Sequence, residues 1–377
     1  TLDELESMVR GRFDAIENRN LETKRHVASL YRSDELPAKV TAEALKDVRS
    51  LSLTFPIPSQ EANYRTKPAS YVANLLGHEG PGSLFDVLKR AGLAESLSAG
   101  LGMDTGENAT LEISISLTPE GLARHEDILP LVFDYIEKIR QKGISEQRFL
   151  EMQNLARIDF RFREQGNPLH EAMRLSRYLQ DYPAEDVLRA PWLVERFAPE
   201  QYRDILDRLT PDNLLTFVLA PEPELENPNR TDWYEAAWAR KPLDPATLRT
   251  QFLPELAAQL RLPPENPFVP EDLAMVPGKT MAQPTQLATI EGMDVWFARD
   301  TRFDTPKANV FVGLRTPATR ASARSYVLTQ LLVDAINTNL NAWAYSASLA
   351  GLDYSVYPHL RGITVRVGGY NDKLHTL

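Results

Sequence analysis

"NLLGHEGPGSLFDVLKRAGLAESLSAG" (residues 74–100) packs a helix end, a glycine-rich loop, a second helix and the start of a strand into one short run. Just upstream, "SYVANLLG" (70–77) has helical spacing and ends on a glycine, as helix C-termini often do. Gly80 and Gly82 permit unusual backbone angles, and Ser83 is placed to cap "SLFDVLKRAG", which Gly92 closes. "ESLSAGLG" (95–102) and "TLEISISL" (110–117) read as strands on either side of the turn-rich "MDTGEN". The loop between the helices admits three readings: a metal site, a phosphate cradle, or a helix–loop–helix turn.

Zinc needs three or four converging ligands, and helical two-histidine sites place the histidines four apart. The six histidines stand at 26, 78, 125, 170, 359 and 375, and no pair has that spacing. A P-loop needs a lysine before its Ser or Thr, which "GSLF" lacks, and Glu79 repels phosphate. On the residues alone the loop is a turn, with His78 and Glu79 as its polar members. Elsewhere there is no G-x-S-x-G elbow and no cysteine, so thiolate ligands and cysteine nucleophiles are excluded. "DFRFRE" (159–164) sets Arg161 and Arg163 at a helix end, where cations offset the dipole; an anion site there is the weaker alternative. The aromatic helix around Trp343 and Tyr345 reads as core.

Working outward, the 377 residues carry a net charge of −10, which disfavours a nucleic-acid-binding face. Hydrophobic residues make up 43%, enough for sizeable cores, and no apolar run approaches the roughly 18 residues of a membrane span. The N-terminal stretch has no signal-peptide pattern and reads as an amphipathic helix with a Thr1–Glu4 capping box. Residues 21–44 read as a polar connector. "LSLTFPIP" (51–58) alternates as a strand, and a helix runs from Thr118 to Lys142 on a stripe including Leu122, Leu129, Val132, Ile136 and Ile139. A further helix starts at Ser145, and "NLLTFVLA" (213–220) is a buried strand. Proline then dominates 221–285, which reads as a linker with a short helix around Trp233.

Beyond the linker the pattern restarts. One constant offset lays Leu51, Leu53, Phe55 and Pro58 on Val310, Val312, Leu314 and Pro317, Ala91-Gly92-Leu93 on Ala350-Gly351-Leu352, and Ser96 on Ser355. The order strand, Pro, helix, "AGL", strand recurs, so an internal duplication is expected, with the second copy stopping partway. The chain reads as a piece of something longer.

The opening stretch, with "VRSLSLTFPIP" (48–58) before it and "DVLRAPWLVERFAPEQYRDILDRLTPDNL" (186–214) after it, resembles the second domain of the pitrilysin and insulin-degrading enzyme family of zinc metallopeptidases. "LNAWAYSASLAGLDYSV" (340–356) and "VGGYNDK" (367–373) resemble that family's third domain. The resemblance implies an α+β fold of repeated metallopeptidase-type α/β roll domains, each a mostly antiparallel sheet flanked by helices. It divides the chain into the end of a preceding catalytic domain plus connector (1–40), a non-catalytic domain (41–262), an inter-half linker (263–285) and part of a further domain (286–377). It implies a parent that cleaves peptides in a closed chamber with zinc-activated water, while the zinc motif and the substrate-orienting residues fall in missing first and fourth domains. This segment would bind no zinc and have no catalytic residue. Its own role would be an exosite for a peptide or unfolded polypeptide, at His78, Gly80 and Gly82 in the loop and Leu97, Ser98, Ala99 and Gly100 on the strand. The family commonly has paired glycines there, and Ala99 replaces the first. A periplasmic or secreted setting is implied, with the cytoplasm as alternative; a non-catalytic scaffold of the same fold is the competing function.

Overall fold

The computed structural model describes residues 1–21 and 28–377. The chain runs α1 (Leu2–Phe13), β1 (Ala38–Glu43), β2 (Ser50–Pro58), α2 (Pro68–Leu76), α3 (Leu84–Arg90), β3 (Ala94–Asp104) and β4 (Asn108–Leu117). It continues with α4 (Pro119–Ala123), α5 (His125–Lys142), α6 (Glu146–Arg161), α7 (Pro168–Asp181), α8 (Pro199–Arg208), β5 (Leu215–Ala220), β6 (Asn229–Arg230), β7 (Ala237–Pro242) and α9 (Pro254–Ala257). Last come β8 (Thr285–Ile290), β9 (Met293–Phe297), β10 (Lys307–Arg315), α10 (Ala323–Leu349), β11 (Asp353–His359) and β12 (Gly362–Tyr370).

Alternation on β2 builds the main core. Leu51, Leu53, Phe55 and Ile57 point to one face and are buried together with Leu111, Ile113 and Ile115 of β4 beneath α2, α5 and α8. The opposite face carries Ser52 facing Ser114 and Ser50 facing Ser116, small hydroxyls that need no cover. The seven-stranded sheet has the order β3-β4-β2-β5-β1-β7-β6, antiparallel except for the β1–β5 pair. This is the α+β architecture the resemblance implies, and β3 is an edge.

Four sequence expectations need correction. Part of the connector expected over 21–44 is strand β1, held between β5 and β7 although its polar sequence hid it; residues 22–27 of that connector lie outside the described residues. The proline-rich 221–285 stretch contains β7, because its prolines flank rather than interrupt the run and Pro242 closes it. Trp233 lies in the turn between β6 and β7, not in a helix. The helix read as continuous from Thr118 breaks at Arg124, where His125 Nδ1 lies 2.7 Å from the Leu122 carbonyl oxygen.

The duplication is visible in the topology. The second sheet has the order β10-β12-β11, all antiparallel, which repeats β2-β4-β3. Leu51 opposes Ile115 and Val310 opposes Val367, so taking Val310 as the counterpart of Leu51 makes Val367 the counterpart of Ile115. The outer strands drift. Ser96 opposes Ser116, whereas Ser355 opposes Arg366, the position of Ser114 in the first repeat. Ser355 therefore matches Ser98, not Ser96, and the irregularity between Ala94 and Ser96 on β3 takes up one of the two extra residues.

Candidate functional site

α2 ends on Gly77, whose N–H donates to the Ala73 carbonyl, and Ser83 caps α3 by accepting from the Asp86 N–H. Between them the loop folds onto itself. His78 is buried, with 6% of its surface exposed, and its Nδ1 accepts the Gly80 N–H at 2.9 Å. A neutral imidazole that accepts at Nδ1 carries its proton on Nε2. Burial, with the Arg148 charge as a smaller cause, lowers the His78 pKa from 6.5 to about 4, so the ring is neutral at ordinary pH. Gly82 has φ +79°, gives its N–H to the Asp86 carboxylate at 2.7 Å, and accepts from the Arg261 N–H at 2.7 Å. These amides are committed within the protein. The anion reading loses its cradle, and Arg163 is paired with Glu171 at 2.9 Å.

A partner that sequence reading assigned to core completes the loop. Tyr345 on α10 packs its ring against His78, edge to face at 4.8 Å, and its hydroxyl donates to the Gly77 carbonyl at 3.4 Å. One turn earlier, Asn341 donates to the Glu79 carboxylate at 3.2 Å. The i, i+4 spacing of Asn341 and Tyr345 was the available signal, but only the fold tells which loop they meet.

The strand half of the predicted site lies on β3. Leu97 is buried toward the helices, Ser98 is exposed, and Ala99 and Gly100 are half-buried. They oppose Ile115, Ser114, Ile113 and Glu112 of β4, and β3 pairs with no strand on its other side among the described residues. The structure brings loop and strand together at one point: a Cβ built on Gly77 would lie 3.1 Å from the Ala99 nitrogen. Gly77 thus lets the helix end approach that strand closely.

The described residues do not fit zinc. No group of three or more His, Cys, Asp or Glu among them could hold a metal ion; His359 Nδ1 accepts from Arg361, and His26 lies outside the described residues.

A mostly antiparallel sheet flanked by helices, with its strand order recurring further along the same chain, is the repeated-domain architecture that the resemblance implied. The chain belongs to the peptidase M16 family: residues 1–155 match the model described as "Peptidase M16 inactive domain" and residues 160–377 the "Middle or third domain of peptidase_M16". The seven-stranded sheet takes strands from both sides of that division. The chain is 30% identical over 375 residues to the human insulin-degrading enzyme, matching 99% of this chain and 37% of that protein. It is 30% identical over 380 residues to a putative zinc protease of Schizosaccharomyces pombe, covering 100% of this chain and 39% of the relative. The crystal structure of pitrilysin superposes on the whole chain with a TM-score of 0.83 at 26% identity, the match covering 40% of that molecule. The chain therefore spans under half the length of the relatives it matches. Among the described residues no helix is long and apolar enough to cross a membrane.

Proposed function

We propose that this chain is the central, substrate-holding part of a zinc-dependent metalloendopeptidase that degrades peptides and small proteins in a closed chamber. The zinc and its ligands belong to a first, catalytic domain whose last helix and connector are residues 1–40, and substrate orientation to a fourth domain. Residues 41–262 form the non-catalytic holding domain, 263–285 the linker between halves, and 286–377 part of the third domain. A periplasmic or secreted setting goes with this reading, the cytoplasm being the alternative.

One observation carries the holding role: β3, far longer than the two-residue β6 at the opposite edge, is an edge of the large sheet with no outer partner among the described residues, and the His78 loop lies beside it. An extended peptide adds there as a further strand, held by backbone hydrogen bonds that tolerate many sequences. The neutral His78 has an Nε2–H without a partner among the described residues, suited to a peptide carbonyl. Leu97, Ser98, Ala99 and Gly100 supply the strand contacts; Gly80 and Gly82 keep the loop in its shape.

The test is Leu101→Pro. Leu101 is exposed on β3, and the second repeat has a proline, Pro358, at the matching register position. Proline is tolerated on an edge strand where its nitrogen faces outward, so the fold should survive. Removing one outward donor should weaken binding of an extended, fluorescently labelled peptide about tenfold, the worth of one hydrogen bond. A folded variant that binds as tightly as the unmodified chain, by anisotropy titration, would sink strand addition at β3.

A further inference from the structure

The two repeats offer two equivalent edges, and they differ in a way that neither the family match nor the sequence reading assigns. Register fixes the equivalence. Leu97, Ala99 and Leu101 oppose Ile115, Ile113 and Leu111, whose counterparts Val367, Val365 and Ile363 oppose Tyr354, Val356 and Pro358. Like β3, β11 pairs on one side only among the described residues.

Pro358 has no N–H to give a ladder, so it sits where the backbone faces away from β12. Antiparallel pairs alternate between inward and outward, so Tyr354 and Val356 face outward too. On this outer side Asn337 of α10 donates its amide N–H to the Val356 carbonyl at 3.0 Å, and the Tyr354 hydroxyl donates to the Asn337 carbonyl at 3.1 Å. The β11 edge thus lacks one donor and has one acceptor occupied by its own helix. At the offset that carries Ala91 onto Ala350, Asn337 is the counterpart of His78 and Ile336 of Gly77. In the first repeat the chain breaks out of helix at that place. His78 turns Nδ1 to Gly80, Gly77 brings no side chain near Ala99, and no side chain among the described residues bonds the backbone of Leu97, Ala99 or Leu101.

We propose that Asn337 and Pro358 keep β11 closed to strand addition, so that β3 alone of the two equivalent edges receives extended polypeptide. An unblocked second edge would capture the same chain twice or pair with another copy of itself, the hazard that prolines and side-chain caps suppress on natural edge strands. The proposal rests on the β3 reading only for which edge is used; the closure of β11 is separate.

The experiment is hydrogen–deuterium exchange on the whole chain, with and without a synthetic peptide of about ten residues alternating valine with lysine or threonine. In the unmodified chain the peptide should slow exchange at 94–104 and leave 353–359 unchanged. In Asn337→Ala/Pro358→Val it should slow exchange at 353–359 as well, about tenfold, and the binding stoichiometry should rise from one to two. Peptide protection of 353–359 in the unmodified chain would overturn the closure, as would a folded double variant without protection there. Should the double variant not fold, Pro358→Ala alone restores the missing donor and is read the same way. If the unmodified chain shows no protection at either edge, the β3 reading fails, while the variant still decides whether β11 was closed.

Discussion

Gly121→Ala is expected to destabilise the protein by about 3 kcal/mol or more, the upper range for forcing a group into packed structure. A Cβ on Gly121 would lie 1.8 Å from the Leu93 carbonyl oxygen, and that oxygen is backbone and cannot swing away. The contact is so close because two bonds draw the start of α4 onto the turn before β3 and a third fixes Gly121 to the α4 cap. The Thr118 N–H donates to the Leu93 carbonyl at 3.2 Å, the Thr118 hydroxyl donates to the Gly92 carbonyl at 2.6 Å, and Thr118 Oγ1 caps α4 by accepting the Gly121 N–H at 2.9 Å. Gly92, at φ +71°, lets the chain reverse there. Relief requires α4 to lift off, which loosens the start of β3 and the burial of Leu93. Urea unfolding at matched slope measures the effect; a loss under about 1 kcal/mol would mean that the turn yields without cost.

The same turn shows how far the sequence could be read. The repeated "AGL" was legible because it is local: a positive-φ glycine after a helix, followed by a leucine that enters the core. Its clamp was not legible, because Gly121 and Leu93 meet only across the fold. The second repeat makes the point again. Gly351 has φ +75°, and the residue pressed against its carbonyl is Gly369, whose added Cβ would lie 2.4 Å away. Strands β2 and β4 announced themselves by strict alternation, while β1 did not, since its cover comes from β5 and β7 far along the chain. The site divides in the same way. The glycine-rich loop and the strand over 97–100 were readable as elements, their joining into a candidate site came from the family resemblance, and Tyr345 and Asn341 reach the loop only because α10 lies against it. Equally, the difference between the β3 and β11 edges depends on register, which an irregularity of a residue or two displaces without altering the pattern.

His78 should make stability fall with acid, and the sign follows from its surroundings. Burial against Tyr345, with the nearby Arg148 charge, lowers its pKa from 6.5 to about 4 in the folded protein. In the unfolded chain the ring titrates near its usual value, so between these two pH values the unfolded state holds the extra proton. Stability from the neutral ring is complete above about pH 6.5 and is lost as pH falls toward about 4, roughly 3 kcal/mol in all. His78→Asn isolates the effect. Asparagine stands at the matching place in the second repeat, can accept the Gly80 N–H through its side-chain oxygen, and does not titrate. Carboxylates titrate alike in both proteins and cancel in the difference. By urea unfolding at closely spaced pH, the unmodified chain should lose about 3 kcal/mol more stability than the variant as pH falls from 6.5 to 4. Parallel profiles would mean that the ring is solvated and able to charge. A charged imidazole keeps its Nε2–H but cannot accept the Gly80 N–H that holds the loop closed, so in that outcome the loop would open as the ring charges.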